Sequence, residues 1–165
     1  MAQPQVHDPR FARSVVFIVA HDETGTMGLM LNKVMGDVDS RKILESLDLE
    51  PTRQRMELEL RFGGPVELNR GFVLHSQDFL PKTSRLIASG VAFTADAETV
   101  RAIIEHRGPQ LYLIVFGYAG WGEGQLESEI ERGDWVVVPA ERSKIFTHSP
   151  EQLWEELTKD RIMRM

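Results

Sequence analysis

The chain has 165 residues, of which 42% are hydrophobic and 27% are charged, a composition typical of one folded globular domain and unlike that of a disordered or collagenous chain. Its formal net charge of −6 argues against direct nucleic-acid binding, which depends on clusters of lysine and arginine. The absence of cysteine excludes disulfides and thiolate chemistry. No apolar run approaches the roughly 18 residues of a membrane span, and the first residues do not form a signal peptide, so we expect a cytoplasmic protein.

Strands joined by turns dominate the first half of the chain. The β-branched run at 14–20 and the run at 28–33 flank a turn-rich stretch and predict a hairpin. Residues 56–60 alternate strictly between polar and apolar, which is typical of a strand with one buried face. Two further strands are predicted at 70–76 and 84–90, each bounded by glycine or proline.

Three amphipathic segments predict helices. The first is capped by Asp39 or Ser40 and closed by Pro51. The second begins at a Thr94 cap and ends before Gly108. The third, near the end of the chain, is predicted to open with Ser149 as the cap, Pro150 in the first turn and Gln152 completing a capping box.

The run QLYLIVFG at 110–117 is continuously apolar, which indicates a central strand covered on both faces. A glycine-rich loop follows it, then a short helix at 126–133 and a strand at 134–139. Strands outnumber helices and hairpin neighbours are mixed with one strand-loop-helix-strand unit. The sequence therefore predicts a single α+β domain, residues 1–165, with a mixed sheet.

The glycine-rich loop, with glycines at 117, 120, 122 and 124, is the most unusual stretch. One interpretation is structural: the glycines let the backbone bend and let Trp121 pack closely against a neighbour. The other is functional, because loops after central strands often carry binding sites and so many glycines exceed the needs of one turn. Both interpretations remain open at this point.

A phosphate-binding role for this loop is disfavoured. The pattern G-x-G-x-x-G that begins at Gly120 has Gln125 where its third glycine belongs, and Glu123 and Glu127 would repel a phosphate. No metal-ligand spacing occurs either. We therefore predict neither a cofactor nor a metal.

A second glycine corner, Gly63-Gly64-Pro65, lies between two predicted strands and is interpreted as a turn. His75 and Ser76 follow on the next strand. Adjacent strand residues point to opposite faces, so these two side chains cannot form a nucleophile–base pair. No G-x-S-x-G motif is present, which argues against serine hydrolase chemistry.

Several blocks together resemble the YqgE/AlgH family of bacterial proteins. They are DPRFARSVVFIVAHDETGTMGLMLN (8–32), FGGPV (62–66), LHS (74–76) and FGYAGWGEGQLESEIERGDW (116–135). The family's motif positions fall here on Arg13, Ser14, His21, Gly28, Asn32, Gly63 to Pro65, His75, Ser76 and Gly117 to Gln125. The start MAQPQVH differs from the apolar stretch usual in the family, which leaves edge protection and oligomer contacts there open.

This resemblance implies an α+β fold whose mixed, partly barrel-like sheet is flanked by short helices, in a cytoplasmic bacterial protein. One branch carries the name of a regulator of alginate biosynthesis. The resemblance supplies no catalytic residues and no DNA-binding motif.

Three functional hypotheses follow. The preferred one is a non-catalytic regulatory module that binds an unknown small molecule or protein partner, with Trp121 as the apolar contact and Gln125 or His75 as the polar group. The alternative is an enzyme that uses His75 or His21 as a general base on a small polar or phosphorylated substrate. Direct DNA binding rests on the regulator name alone. The predicted site comprises Gly63, Gly64, Pro65, His75, Ser76, Gly120, Trp121, Gly122 and Gln125.

Overall fold

A computed structural model describes residues 1–163 of the chain. The strands are Val16–Asp22 (β1), Gly25–Met30 (β2), Val34–Asp39 (β3), Glu57–Phe62 (β4), Val66–Ser76 (β5), Arg85–Ala88 (β6), Val91–Thr94 (β7) and Tyr112–Gly122 (β8). The helices are Ser40–Ser46 (α1), Ala97–Ile104 (α2), Gln125–Glu131 (α3), Arg142–Ile145 (α4) and Leu153–Met163 (α5), with a 3-10 turn at Pro150–Gln152. The predicted α+β class is confirmed. None of the helices described in this range is long and apolar enough to cross a membrane.

Strand β8 organises the sheet, which is mixed as predicted. Along one edge it pairs antiparallel with β5. Along the other edge it pairs first with β4, in parallel, through residues 114–116, and then with β2, antiparallel, through residues 119–122. The main order of strands is β1-β2-β8-β5-β7-β6, while β3 pairs with β4 alone.

Both faces of β8 are covered. Leu113 and Val115 belong to the apolar cluster inside the curved sheet, which α5 also contacts. Ile114 and Phe116 belong to a second cluster, which includes the buried residues of α1 and α2. Alternate side chains of one strand thus enter two different cores, which explains why the sequence here is continuously apolar.

The sheet curls into a nearly closed barrel. Its two terminal strands in the main order are β1 and β6. The gap between them is bridged by a side chain, since Arg85 Nη2 donates a hydrogen bond of 2.6 Å to the Val19 carbonyl oxygen. This incompletely paired seam borders an apolar cavity.

The connection between β4 and β5 crosses over β8. The two strands lie on opposite edges of β8, and only Gly63, Gly64 and Pro65 join them. A Cβ on Gly63 would lie well inside 3.0 Å of the Gly117 carbonyl oxygen, and one on Gly64 would overlap the Tyr118 carbonyl carbon. The two glycine regions therefore meet backbone on backbone, at a crossing that no side chain could occupy.

Gly117 also changes the direction in which the second half of β8 presents its side chains. Its φ of 72° lies in the left-handed region. Before Gly117, odd-numbered residues such as Val115 face the barrel interior. After it, the even-numbered Tyr118 packs on the interior cluster, and Trp121 enters a third apolar cluster, whose buried members are Ala2, Ala119, Trp121 and Trp135. A single residue of positive φ has shifted the alternation by one position.

Several sequence predictions of local structure are wrong. The stretch after Gly117 is not a loop, because β8 continues to Gly122 through pairing with β2. Residues 134–139 form no strand and make one isolated bridge, Ala2 to Trp135. The cap of α2 is Asp96, because Thr94 is the last residue of β7.

The N-terminal end of the last helix also differs from the prediction. Ser149 makes no capping hydrogen bond through its side chain, and the segment begins as the 3-10 turn Pro150–Gln152. The sequence reading also missed β3, β7 as a strand separate from β6, and α4. These elements contain only four to six residues, which is too few for a hydrophobic period to be recognised.

Candidate functional site

The structure divides the predicted site residues among three places. Gly63, Gly64 and Pro65 form the crossing over β8, in contact with the protein's own backbone. His75 pairs with Tyr112 at the start of β8, and Ser76 follows it as the last residue of β5. The remaining residues, Gly120, Trp121, Gly122 and Gln125, lie together where β8 ends and α3 begins.

His75 is fully buried and both of its ring nitrogens are engaged. Nδ1 lies 3.0 Å from the Ser76 carbonyl oxygen, and Nε2 lies 2.7 Å from Thr94 Oγ1. A carbonyl oxygen only accepts, so Nδ1 carries the proton and Thr94 donates to Nε2. The Ser76 hydroxyl donates to Asp78 instead. The two side chains point apart, as the strand geometry predicts, and His75 presents no free lone pair to a substrate.

Burial lowers the pKa of His75, an effect that the Ser76 carbonyl and Asp78 only partly offset. An unfolded histidine titrates near a pKa of about 6.5. Below that pH the unfolded chain takes up a proton that the folded His75 resists, so the free energy of unfolding should decrease as pH falls. We expect urea denaturation between pH 7.5 and 5.5 to show a steeper loss for the wild type than for His75→Gln. The matched control is His148→Gln, at an exposed position. Parallel pH profiles for wild type and His75→Gln would contradict this assignment.

Trp121 and Trp135 form the buried centre of the third cluster. Their rings meet edge to face with centroids 5.5 Å apart, and Phe11 contacts Trp135 in the same manner at 6.1 Å. Only 6% of Trp121 and 8% of Trp135 is exposed. Both indole N–H groups donate to one oxygen, Glu129 Oε2, at 2.9 Å and 2.7 Å respectively.

Gln125 connects the end of β8 to α3. Its Oε1 accepts a hydrogen bond of 3.0 Å from the Gly122 amide, and its Nε2 donates to Glu129 Oε1 at 2.9 Å. His21, in the hairpin beside it, lies 3.3 Å from Glu127 through Nε2. The polar groups near Trp121 therefore hold α3 against the sheet.

An apolar cavity of about 260 Å³ adjoins the two tryptophans. It lies at the seam of the barrel, between β1 and β6, and the segment 135–141 with α4 and α5 completes it. Its walls include Val16, Phe17 and Ile18, Ile87 and Ala88, Trp121, Leu126 and Ile130, Trp135 to Ala140, Ile145, Leu153 and Leu157. Two charged residues, Glu141 and Lys144, also border it. Of the predicted site residues, only Trp121 lines this cavity.

Lys144 is not available as a free cation at this cavity. Its Nζ lies 3.1 Å from Glu156 Oε2 and 3.3 Å from Asp160 Oδ2. These two carboxylates raise its pKa. In the part of the chain that the structure describes, no group of three or more histidine, aspartate or glutamate side chains is placed to hold a metal ion.

Comparison with known proteins places the chain in a family. A family model described as AlgH-like matches residues 1–164. The chain belongs to the AlgH-like family. The resemblance found in the sequence blocks is thereby confirmed.

Two relatives illustrate the similarity. A UPF0301 protein of Methylococcus capsulatus is 41% identical over 159 residues, which cover 96% of this chain and 87% of the relative. A UPF0301 protein of Rhizorhabdus wittichii is 42% identical over 155 residues, covering 94% and 83% respectively. Neither name states an activity, so AlgH-like membership leaves the function unestablished.

Two solved structures share the fold. The solution structure of AlgH from Pseudomonas aeruginosa aligns with a TM-score of 0.83 and 33% identity, covering 98% of this chain and 85% of that one. The crystal structure of protein DIP2367 from Corynebacterium diphtheriae aligns with a TM-score of 0.75 and 25% identity, covering 97% and 83%. This chain therefore shares its fold with both solved proteins.

Sequence reasoning missed most of the cavity in this AlgH-like chain. The sequence predicts Ile87 and Ala88 only as part of a loosely alternating strand at 84–90, and it predicts a strand at 134–139 that the structure does not contain. Glu129 was not singled out among the chain's 25 carboxylates. The usable signal was the pair Trp121 and Trp135 flanking an amphipathic helix, because buried indoles need a hydrogen-bond acceptor nearby.

Proposed function

We propose that this AlgH-like protein is a non-catalytic binding module that takes an apolar small molecule in the cavity beside Trp121. The observation that carries the proposal is the cavity itself, about 260 Å³ in volume and walled almost entirely by aliphatic and aromatic side chains. In this proposal the module acts in the cytoplasm and is regulatory: ligand binding alters the surface formed by α3 and residues 135–141, which a protein partner would contact.

The size of the cavity supports a ligand. Protein interiors pack as densely as organic crystals, and an apolar void costs stability in proportion to its volume. A dry engineered cavity of roughly 150 Å³ is large enough to bind benzene. A larger apolar cavity at the unpaired seam of a barrel is therefore a suitable place for a hydrocarbon group, since strand pairing does not have to be broken to admit it.

The alternative of an enzyme with a histidine base has less support. His75 is buried with both nitrogens bonded, at the end of β8 opposite the cavity. His21 is exposed, with Nδ1 2.7 Å from Thr26 Oγ1 and Nε2 facing Glu127. Neither imidazole borders the cavity. Direct DNA binding has the net charge of −6 against it.

Two neighbouring residues of β6 provide a matched test. Ile87 lines the cavity, whereas Leu86 points outward and is 52% exposed. We expect Ile87→Trp to fill the cavity and weaken binding of octan-1-ol at least about tenfold, while Leu86→Trp binds it as the wild type does. Titration calorimetry gives the affinities, and circular dichroism confirms that both variants fold.

Thermal unfolding provides an independent readout. A ligand at 100 times its Kd raises the free energy of unfolding by about 2.7 kcal/mol, so octan-1-ol should raise the Tm of the wild type and of Leu86→Trp. The proposal is wrong if octan-1-ol leaves the wild-type Tm unchanged, or if Ile87→Trp and Leu86→Trp bind it equally.

A further inference from the structure

Two indole N–H groups converge on one carboxylate at the edge of the cavity. Trp121 Nε1 and Trp135 Nε1 donate to Glu129 Oε2 at 2.9 Å and 2.7 Å, and both indoles are more than nine-tenths buried. An indole N–H is a donor only, and a hydrogen bond to a carboxylate is stronger than one to a neutral acceptor. The pair is therefore a preformed site for an anionic oxygen, and the oxygen that fills it comes from the chain itself.

Both indoles also line the apolar cavity. Leu126 and Ile130, on the same helix as Glu129, form part of its wall. The two N–H donors and a space large enough for a hydrocarbon group thus share one boundary. Together they match a molecule with an anionic head group and an apolar tail.

Helix α3, which carries Glu129, is attached through the partly buried side chains of Leu126 and Ile130 and through polar contacts. It contains no buried residue, and it is flanked by Gly124 and Gly133, whose φ angles are 66° and 86°. A Cβ on Gly124 would meet nothing within 4 Å. The Glu129 side chain is held by the two indole N–H groups and by Gln125 Nε2, so a competing anion has to displace this side chain and not the apolar contacts of the helix.

We propose that Glu129 occupies the head-group position of a site for an apolar monocarboxylate. Such a ligand displaces Glu129, places its carboxylate on the Nε1 groups of Trp121 and Trp135, and lays its hydrocarbon tail in the cavity. This inference rests on the proposed function. In it, Glu129 acts as an internal competitor that keeps the affinity of the resting protein low.

Lys144 is the other conceivable partner for the head group, and the structure disfavours it. Its ammonium group already faces Glu156 and Asp160, so an incoming carboxylate would have to displace one of them and meet repulsion from the other. The indole pair has a single carboxylate to release.

The test compares octanoate with octan-1-ol, which share a hydrocarbon tail and differ in the head group. Glu129→Ala vacates the acceptor position, and Glu131→Ala, which removes an exposed carboxylate from the same helix, is the matched control. We expect Glu129→Ala to bind octanoate at least about tenfold more tightly than the wild type and Glu131→Ala do, with less than about threefold change for octan-1-ol.

The three indole N–H resonances in a ¹H–¹⁵N spectrum report where the head group binds. Octanoate should shift those of Trp121 and Trp135 in Glu129→Ala and leave that of Trp154, which donates to the Ala2 carbonyl oxygen at 2.7 Å, unchanged. If Glu129→Ala does not fold, Glu129→Gln replaces it; the neutral amide competes less well than a carboxylate, so octanoate should still bind more tightly than to the wild type.

The outcomes separate this inference from the proposed function. If octan-1-ol binds in the cavity but octanoate gains nothing from the loss of Glu129, the head-group site is wrong and the proposed function stands. If neither compound binds to any variant, both are wrong.

Discussion

Replacing Gly64 by alanine is expected to lower the free energy of unfolding by about 3 kcal/mol or more. The new Cβ would overlap the carbonyl carbon of Tyr118 and the nitrogen of Ala119, because the chain crosses β8 at this point. The φ of Gly64 is 153°, which a residue with a Cβ rarely adopts. Neither backbone can move aside without breaking the pairing of β8 with β5 or β2.

Gly120→Ala is the control for this substitution. Gly120 lies in the same strand, but its φ is not in the left-handed region, and the nearest atom to an added Cβ is the Tyr118 ring at 3.4 Å. We expect its free energy of unfolding to stay within about 1 kcal/mol of the wild type. Urea denaturation of both variants checks the crossing, and equal destabilisation of the two would show that backbone contact is not the reason for Gly64.

Trp121→Ala should have the second large effect, a loss of about 3–5 kcal/mol in the free energy of unfolding. The substitution removes a buried ring, its edge-to-face contact with Trp135 and one of the hydrogen bonds that hold Glu129. It also enlarges the adjoining cavity, which adds a cavity penalty to the lost burial.

Trp121→Phe separates the two contributions of this side chain. It keeps most of the apolar contact and removes the N–H donor, so it should cost less than Trp121→Ala and about 1–2 kcal/mol. Chemical denaturation monitored by circular dichroism gives both values. A Trp121→Ala protein as stable as the wild type would mean that the indole packs less closely than the structure shows.

The central strand could be predicted from sequence because its physical cause is local. Within the run at 110–117, residues 113–116 are apolar at every position, a pattern typical of a strand that is covered by a core on each face. Leu113 and Ile114 indeed enter different cores. The α+β class followed from the same reasoning, applied to one element at a time.

The glycines could not be interpreted in the same way, because their cause is not local. The density of glycines indicates that another group approaches the backbone near Gly117 closely, but the sequence does not identify that group. The partner is the connection at Gly63 and Gly64, more than fifty residues earlier in the chain, and only the strand order brings the two together. The functional and structural interpretations of these glycines were indistinguishable without that order.

The cavity could not be predicted from sequence for a similar reason. Its walls come from β1, from β6 and from several segments of the last third of the chain, including α3, so no short stretch of sequence contains them. Trp121 was identified because an indole beside glycines is conspicuous on its own. Glu129 acquires its meaning only through Trp135, which the sequence reading placed in a strand that the structure does not contain.

The most direct test of the central claim is to locate octan-1-ol on the folded protein by NMR. The account predicts intermolecular NOEs from the alkyl protons to the methyl groups of Ile87 and Ile130 and to the ring of Trp121, all of which line the cavity. NOEs confined to exposed side chains such as Leu68, or none at all from a folded and saturated sample, would contradict it.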